Sequence, residues 1–421
     1  MQISRSMYDI IAFLSLLNFI RVLIMLVGSD VYDIRQIMRK HRQSLRPYKP
    51  LVSVIIPAYN EEAGVLRTVN SVLANTYKKV QIIVVNDGSS DKTLAMLKAY
   101  RRKYPGSITV VNQANGGKAR AINRAVRYWA KGTLVMVVDA DSLLDKSAVG
   151  NMVEHFRDRY VLAAASNVKI IPTNKLIGLA QRFEYLISYR MKRALTTYNM
   201  EYIVGGVGST FRRSVLIKSG LFDTDTMTED IDMTVKLIRL YGNKRYKIHY
   251  AADSLAYTEH VLSFKSLIKQ RFRWKYGRMQ TLLKNQAMFF NSDKRYDRRL
   301  TWYQLPYAIV GELVLLVEPI LVGYIGYVVI RYADLTSLIS VYIIVSTFIF
   351  LMLMGEESEK FRTKVGLVIA LPLAYILMYI LTAVEFVALV QSLYKGRQLL
   401  SREAHAGSWE HVERSGNTVN I

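Results

Sequence analysis

The sequence contains no cysteine, and this absence restricts the chemistry available to the protein. Without thiol groups there is no disulfide bond, no thiolate ligand for a metal ion and no cysteine nucleophile. Any catalysis must therefore use carboxylates, hydroxyl groups, histidine, or a metal ion held by oxygen atoms.

Two phosphate-binding motifs are also missing. No P-loop of the form G-x-x-x-x-G-K-[S/T] lies near a predicted strand, and no G-x-G-x-x-G follows the first strand. Both motifs hold phosphates on glycine-rich backbone. Their absence argues against a P-loop ATPase and against a dinucleotide-dependent oxidoreductase.

Acidic side chains are scarce relative to basic ones. The 421 residues include 33 Asp and Glu but 57 Lys and Arg, so the net charge is +24. This balance suits nucleic acid, anionic lipid or a phosphate-bearing substrate, and composition does not choose among them. Because 51% of the residues are hydrophobic and 21% are charged, we expect a folded chain that lies partly in lipid.

Long apolar stretches lie near both ends of the chain. Four of them approach or exceed the roughly 20 residues of a membrane-spanning helix, at residues 10–28, 305–330, 338–354 and 365–393. We therefore predict a transmembrane helix within residues 1–30, about three more within residues 302–394, and a basic tail at residues 395–421.

Residues 48–290, between these stretches, are rich in Lys and Arg, which mark the cytoplasmic side of a membrane protein. We therefore expect a multi-pass protein of the cell membrane with this domain in the cytoplasm. Four crossings, however, would place the basic tail outside. Either one stretch lies in the membrane interface, as Pro372 suggests, or the tail is an exception to the rule that Lys and Arg lie on the cytoplasmic side.

Three glutamates interrupt the apolar stretches, namely Glu312, Glu318 and Glu385. Ionised groups in lipid are costly, so such residues are either functional or turned inward against a polar partner. The sequence leaves both interpretations open.

Short runs rich in Val and Ile alternate with helical patterns in the first half of the basic domain. The predicted strands are residues 52–56, 81–85, 108–112 and 134–138, and the predicted helices are residues 65–75, 93–104 and 119–130. Continuous apolar runs separated by helices are typical of parallel strands buried on both faces. The sequence therefore predicts an α/β fold with a doubly wound sheet.

Polar residues follow each predicted strand, where ligands bind in such sheets. They form four clusters, at residues 57–62, 86–91, 115–118 and 139–141. These clusters contain an aromatic ring, carboxylates, glycines and a lysine, which are suitable groups for a nucleotide diphosphate and a divalent cation. The structural alternative is that residues 87–91 form only a turn and a helix cap.

Asp139 and Asp141 form an Asp-x-Asp motif at the end of the fourth predicted strand. Hard cations such as Mg²⁺ prefer carboxylate oxygens and bridge them to phosphates. We predict that this pair binds Mg²⁺ or Mn²⁺, and that the ion neutralises a diphosphate as it leaves.

Two further motifs follow later in the chain: Thr228-Glu229-Asp230, and Gln270-Arg271-Phe272-Arg273-Trp274. With the Asp-Gly-Ser and Asp-x-Asp motifs, they resemble those of the inverting family 2 glycosyltransferases, which polymerise β-linked sugars in membranes. Within this family the chain is most similar to the bacterial poly-N-acetylglucosamine synthases. A hyaluronan-type synthase, or a non-processive transferase that adds one sugar to a lipid, is the alternative.

The resemblance implies a nucleotide-sugar-binding domain of the GT-A type and a role for each motif. Donor UDP-sugar binding is implied for Pro57, Tyr59, Glu61, Asp87, Lys118, Asp139, Gln270 and Arg273. Acceptor binding is implied for Trp274, Glu229, Gly206 and Ser209. Asp230 would be the general base, and Asp139 and Asp141 would bind the metal ion.

The resemblance also implies partners. They are a UDP-sugar, best matched by UDP-N-acetylglucosamine, the growing polysaccharide, membrane lipid, and an accessory membrane subunit that completes a pore. Nucleic acid is not expected. A membrane-attached polyanion-binding protein is the non-enzymatic alternative that the charge permits.

Local structure offers simpler explanations for the later motifs. Thr226 and Glu229 match a capping box, with a helix to about Tyr241 that places Asp230 in its first turn, where the helix dipole favours an ionised carboxylate. The helix that carries Trp274 could lie in the lipid headgroup layer, with Arg271 and Lys275 among its cations. The glycine-rich residues 205–210 could admit an acceptor sugar or form only a tight turn.

Overall fold

The computed structural model describes residues 2–42, 48–332 and 335–396. The strands, in chain order, are β1 (Val52–Ala58), β2 (Val80–Asp87), β3 (Thr109–Gln113), β4 (Leu134–Val137), β5 (Leu143–Leu144), β6 (Val161–Ile170), β7 (Ser209–Arg212) and β8 (Lys247–Thr258). Within the described ranges they form one mixed sheet of eight strands in the order β3-β2-β1-β4-β7-β6-β8-β5.

The helices surround this sheet and extend from it. In chain order they are α1 (Gln2–Arg42), α2 (Val65–Leu73), α3 (Thr93–Lys103), α4 (Lys118–Tyr128), α5 (Ala148–His155), α6 (Leu176–Thr197), α7 (Arg213–Lys218), α8 (Glu229–Tyr241), α9 (Phe264–Lys284), α10 (Leu305–Tyr332), α11 (Leu335–Met354), α12 (Phe361–Ile369) and α13 (Leu371–Tyr394).

Successive side chains of β1 enter two different apolar cores. Ile55 lies in the core that also receives α4 and α8, whereas Val54 and Ile56 lie in the core that receives α2, α3 and α5. Side chains alternate between the faces of a strand, so a strand with helices on both faces is apolar throughout. The predicted doubly wound α/β fold is therefore confirmed.

The four predicted strands and the three predicted helices are all present. The first four strands are parallel, because β1 pairs with β2 and β4, and β2 pairs with β3. The sheet continues with strands that the sequence pattern did not predict, and β7 runs antiparallel to both β4 and β6. β5 and β7 have two and four residues, which is too short for a hydrophobic pattern to be recognised.

Among the described residues, three helical segments are long and apolar enough to cross a membrane. They are Ser15–Arg39, Arg299–Tyr332 and Leu371–Tyr394, and Tyr342–Met354 is a shorter apolar segment.

The predicted stretch at residues 365–393 is divided between two helices, because α12 ends at Ile369 and α13 begins at Leu371. Pro372 lies in the first turn of α13, where its missing N–H is tolerated. The nine-residue helix α12 is too short to cross a bilayer. The predicted basic tail lies outside the described residues from residue 397 onward.

Ion pairs join α1 to the sheet domain. Arg190 of α6 lies 2.5 Å from Asp30 and 3.0 Å from Asp33, and Arg193 lies 2.8 Å from Asp33. Arg193 also pairs with the buried Glu356, which follows α11, at 2.7 Å. Helix α6 therefore connects the N-terminal apolar helix with the C-terminal helices.

Candidate active site

The loops that follow β1, β2 and β4 meet at a polar cleft of about 410 Å³. Its lining residues are Asn60, Glu61, Glu62, Ala63, Gly64, Arg67, Ser90, Asp91 and Asp141. Parallel neighbouring strands place their carboxyl ends at one edge of the sheet, which is why these loops converge. The cleft brings together Glu61, an expected donor-binding residue, and Asp141, an expected metal ligand.

Hydrogen bonds fasten the first two loops to each other. Asn60 has a φ of 54° and donates its backbone N–H to Ser89 Oγ at 3.0 Å. Its Oδ1 accepts from the backbone N–H of Ser90 at 2.9 Å, and the N–H of Glu61 donates to Thr93 Oγ1 at 2.9 Å. One wall of the cleft is therefore held in place before any ligand binds.

Two expected donor-binding residues lie at the end of β1. Pro57 is a buried residue of the strand itself and stands opposite Val85 of β2. Tyr59 follows the strand and is half-buried. Of the two, only Tyr59 lies in the loop that leads into the cleft.

Asp87 is buried completely and supports the loop that leads into α4. Its Oδ1 accepts hydrogen bonds from Gln113 Nε2 at 2.7 Å and from the N–H of Gly116 at 2.9 Å. Its Oδ2 accepts from the N–H of Gly117 at 2.8 Å. Such charge-assisted bonds are strong, so Asp87 fixes the backbone that immediately precedes Lys118.

Lys118 and three carboxylates form a compact group, which we call the lysine–carboxylate cluster: Lys118, Asp139, Glu229 and Asp230. Lys118 Nζ lies 2.7 Å from Asp139 Oδ1 and 2.9 Å from Glu229 Oε1. Gly206 borders the cluster, because a Cβ atom there would lie 2.9 Å from Lys118 Nζ and 3.4 Å from Asp230 Oδ2. The fold thus assembles five expected site residues from four separate segments.

The charges in the cluster change the pKa values of its members. Loss of hydration raises the pKa of Asp230, Glu229 raises it further and Lys118 lowers it, so that the resulting pKa is about 6. Burial alone would lower the pKa of Lys118, but Asp139, Glu229 and Asp230 outweigh it and raise this pKa above the ordinary lysine value. With a pKa of about 6, Asp230 is still mostly ionised at pH 7, as its place in the first turn of α8 predicts. A carboxylate that titrates near neutrality suits a general base.

The two predicted helix caps have different outcomes. The N–H of Thr93 donates to Asp91 Oδ1 at 3.0 Å at the start of α3, as the turn-and-cap alternative predicts. The capping box at Thr226 is wrong, because α8 begins at Glu229 and no side chain caps it. The preceding segment turns toward α9 instead, where the N–H of Met227 donates to Gln280 Oε1 at 3.0 Å.

Asp139 and Asp141 belong to the same turn, in which the N–H of Ser142 donates to the carbonyl of Asp139 at 3.0 Å. Asp139 belongs to the lysine–carboxylate cluster, and Asp141 lines the cleft and accepts a hydrogen bond from Ser142 Oγ at 2.9 Å. Carboxylate oxygens are the ligands that Mg²⁺ and Mn²⁺ prefer, so this donor set fits the expected ion. Lys118 supplies the neutralising charge at Asp139 in this structure.

A second acidic group lies at the far end of α9. The carboxylates of Asp223, Asp225 and Asp232 lie within 4.8 Å of one another. Lys284 Nζ stands among them, at 2.7, 3.0 and 3.4 Å. Lys284 pairs with all three carboxylates and Lys236 also pairs with Asp223, so these cations offset most of the negative charge and we assign no metal ion to this group.

The glycine-rich segment before β7 is both a turn and a border of the site. Gly208 has a φ of 70°, and a Cβ atom there would overlap Ser166. Ser209, an expected acceptor-binding residue, is buried in β7 and donates its hydroxyl to the carbonyl of Gly206 at 3.2 Å. Ser209 thereby holds Gly206 against the lysine–carboxylate cluster.

Gln270, Arg273 and Trp274 lie on α9, as their spacing predicts. Gln270 is buried and accepts a long hydrogen bond from Gln181 Nε2 at 3.4 Å. Arg273 is exposed and Trp274 is half-buried, with the guanidinium of Arg271 4.5 Å from the centre of its ring. Arg273 is therefore available to an approaching ligand.

Helix α9 touches the segment before Asp230 at a residue without a side chain. A Cβ atom at Gly277 would overlap the side chain of Thr228. Gly277 follows Arg273 by one helical turn. The close approach of the two backbones links the position of this helix to that of the lysine–carboxylate cluster.

Two cations of α9 have a role that the sequence pattern did not predict. Under the alternative of a helix in the headgroup layer, Arg271 and Lys275 would face lipid headgroups, but both are buried. Lys275 pairs with Glu312 at 2.9 Å and with Glu385 at 2.7 Å. The inward-facing alternative is therefore correct for these two glutamates, whereas Glu318 makes no ion pair within the described part of the chain. The spacing of the two cations by one turn was the signal that could have revealed them.

Comparison with known proteins shows which proteins this chain is similar to. Residues 53–220 match glycosyl transferase family 2. The chain is 34% identical over 247 residues to the poly-β-1,6-N-acetyl-D-glucosamine synthase of Staphylococcus aureus, a match that spans 58% of this chain and 57% of that protein. For the synthase of the same name from Staphylococcus epidermidis, the identity is 31% over 264 residues, which are 62% of this chain and 61% of that protein.

A solved structure shares the fold. A mannosyltransferase from Pyrobaculum calidifontis, in complex with GDP-mannose and Mn²⁺, superimposes with a TM-score of 0.57 at 20% sequence identity, over 88% of this chain and 96% of that one. At this identity the likeness concerns the fold, which is the expected GT-A type. Residues 53–220 therefore match glycosyl transferase family 2, and the chain, which spans about 60% of the length of these relatives, resembles the bacterial poly-N-acetylglucosamine synthases.

Proposed function

We propose that this protein is a membrane-bound glycosyltransferase that polymerises N-acetylglucosamine from UDP-N-acetylglucosamine. The observation that carries the proposal is the position of Asp230, a half-buried carboxylate with a pKa of about 6 beside Lys118 and Asp139. The similarity to two synthases of poly-β-1,6-N-acetyl-D-glucosamine supports this sugar and a β-1,6 linkage.

The donor would bind across the polar cleft and the lysine–carboxylate cluster. Tyr59 and Glu61 lie in the loop that leads into the cleft, which is where we place the uridine. Lys118 would leave its carboxylate partners in part and bind the diphosphate, whose negative charge is greater. Asp87 would act through the loop that it holds, and Pro57 through the strand that ends at Tyr59.

The transfer would proceed as one displacement with inversion. The acceptor hydroxyl oxygen attacks the anomeric carbon, and the bond from that carbon to the diphosphate oxygen breaks, with its electron pair leaving on UDP. The proton of the hydroxyl passes to the carboxylate of Asp230. This group needs to be within about 3 Å of the hydroxyl, and Glu229 and Gly206 border the space beside it.

A divalent cation, Mg²⁺ or Mn²⁺, would be held by Asp139 and Asp141. When bound, it would neutralise the charge of the departing diphosphate. Arg273, which is exposed on α9, would add a charge-assisted contact to the same group.

The acceptor end of the growing polysaccharide would stack on Trp274. Its ring is half-buried and already lies against the guanidinium of Arg271, so its orientation is set before the sugar arrives. Gln270 precedes Trp274 by one helical turn and is buried. It would therefore hold this face of α9 in place rather than contact the donor directly.

Residues 48–290 would form the cytoplasmic catalytic domain, and residues 1–30 and 302–394 would hold it in the cell membrane. Nucleotide sugars are present on the cytoplasmic side. The three segments in the described part of the chain that are long and apolar enough to cross a bilayer support this placement. They are few for an export path, so we expect an accessory membrane subunit to complete it.

The test is to supply membranes that contain the protein with Mg²⁺ or Mn²⁺ and each UDP-sugar separately, and to record UDP release, product length and linkage. Long β-1,6-linked product from UDP-N-acetylglucosamine alone is expected, with none from the Asp230→Asn variant. A requirement for a second UDP-sugar would indicate a hyaluronan-type copolymer instead. A glycolipid with a single added sugar would refute polymerisation, and equal UDP release by the variant would refute the site.

A further inference from the structure

Glutamates from two apolar helices converge on one lysine of α9. Lys275 Nζ lies 2.9 Å from Glu312 Oε2 of α10 and 2.7 Å from Glu385 Oε2 of α13. The side chains of Lys275 and Glu312 are only 8% and 14% exposed. A carboxylate in an apolar helix is costly unless it is paired, so these contacts explain why both glutamates are tolerated.

Two arginines of α9 extend this group. Arg278 pairs with Glu312, and Arg271 Nε lies 3.4 Å from Glu385 Oε1. Arg271 also donates two hydrogen bonds to Glu184 of α6, at 2.7 and 2.6 Å. We call these residues the α9 ion-pair network: Glu184, Arg271, Lys275, Arg278, Glu312 and Glu385.

The three cations of this network lie four and three residues apart, so they share one side of α9. The contacts with the segment before Asp230 also come from this part of the helix. Gly277 packs against Thr228 without space for a side chain, and Gln280 accepts a hydrogen bond from the N–H of Met227 at 3.0 Å. A shift of α9 must therefore displace Thr228, two residues before Asp230.

Buried ion pairs contribute little net stability, because the loss of hydration offsets their attraction. They do define register, since a helix that slides would leave charges buried and unpaired. The α9 ion-pair network therefore has the properties of a device that sets the position of α9 along the membrane helices. Glu312 and Glu385 of this network lie on α10 and α13, which include segments that are long enough to cross a membrane.

We propose that Glu312 and Glu385 are positioning residues of the transfer reaction. They act through Lys275 on α9, and through α9 on the segment that carries Asp230. This proposal rests on the proposed function, because it assumes that Asp230 acts on an acceptor.

The first test is kinetic and compares Glu312→Gln, Glu385→Gln and the double variant. We expect kcat of the double variant to fall between about tenfold and a hundredfold, the range for small misplacement of a catalytic group, while the donor KM stays within about twofold. Glu312→Asp and Glu385→Asp keep the charge and should recover part of the loss. Glu318→Gln, also in α10, is the matched control and should keep the kcat of the unchanged protein.

The second test does not depend on activity. Because the chain has no cysteine, Met227→Cys and Gln280→Cys form a unique pair for a short thiol cross-linker. We expect rapid cross-linking in the otherwise unchanged chain and slow cross-linking when both glutamates are replaced by glutamine.

Unchanged kcat in the folded double variant, or equal cross-linking in both backgrounds, would overturn the proposal. Failure to cross-link in the unchanged background would overturn the contact between α9 and the segment before Asp230. If no UDP-sugar supports transfer in any variant, the proposed function fails, and cross-linking still decides whether the glutamates position α9.

Discussion

Lys118 Nζ lies 2.7 Å from Asp139 Oδ1, and the same nitrogen lies 2.9 Å from Glu229 Oε1. One ammonium group therefore joins the Asp-x-Asp motif to the residue that precedes the proposed base, Asp230. These motifs are far apart in the chain, so their electrostatic coupling exists only in the folded protein. It implies that a change at Asp139 or Glu229 alters the pKa of Lys118 and of Asp230.

The Asp230→Asn variant should lose transfer by several orders of magnitude and still bind donor. In the unchanged protein, kcat/KM should fall as the pH drops below about 6, because the protonated carboxyl cannot accept a proton. The folded-state pKa lies above the ordinary value of 3.8, so the stability associated with the protonated form is lost as the pH rises through about 6. Replacement by Asn should therefore raise the unfolding temperature at neutral pH. Asp232→Asn is the control, since its carboxylate bonds to Lys284 in another place, and it should retain transfer.

Replacement of Lys118 by Met should move the acid limb of the pH profile. Lys118 lowers the pKa of Asp230, so its removal should raise that pKa and shift the fall in kcat/KM to higher pH. The donor KM should rise as well. A pH series of initial rates measures both effects, and an unmoved acid limb would show that Asp230 does not control it.

Gly206→Ala should reduce turnover without unfolding the protein. The new methyl group would lie 2.9 Å from Lys118 Nζ and 3.4 Å from Asp230 Oδ2, which forces the cluster to rearrange. Gly205→Ala is the matched control, because no described atom lies within 4 Å of a Cβ atom there. The measurement is the steady-state turnover of the two variants. Equal turnover would mean that Gly206 only forms the turn.

Asp141→Asn should weaken the binding of UDP that depends on Mg²⁺ or Mn²⁺. Its carboxylate lines the cleft, where the donor diphosphate is expected. Titration of UDP with and without the metal ion gives the difference. The Asp225→Asn variant serves as the comparison, because this residue belongs to the acidic group around Lys284. Loss of metal dependence in that variant alone would move the metal site to the other group.

Trp274→Ala should shorten the polymer while donor binding is retained, because the ring is proposed to hold the acceptor sugar. Product length and UDP affinity are measured on the same membranes. Trp302, whose ring packs on Phe290 at 5.5 Å, provides the control substitution Trp302→Ala. Polymers of equal length from both variants would remove Trp274 from the acceptor site.

Much of the sheet and part of the site could be predicted from local patterns. The runs that became β1 to β4 are apolar throughout, and the helices between them have a clear apolar spacing. Asp139 and Asp230 were recognisable because they belong to short motifs in a characteristic order. The prediction that Thr226 caps a helix was wrong, because α8 begins only at Glu229 and the preceding segment bonds to α9 through Met227 and Gln280.

Local sequence patterns were enough to predict the first four strands, the helices between them, the apolar terminal segments and the polar residues at the strand ends. These properties depend on neighbours a few positions away. Only the tertiary structure decided that Asp87 supports a loop, that Lys118 joins Asp139 to Glu229, and that Glu312 pairs with Lys275. Each of those contacts joins residues from different elements, and the balance of burial and charge that governs them arises when the elements pack together.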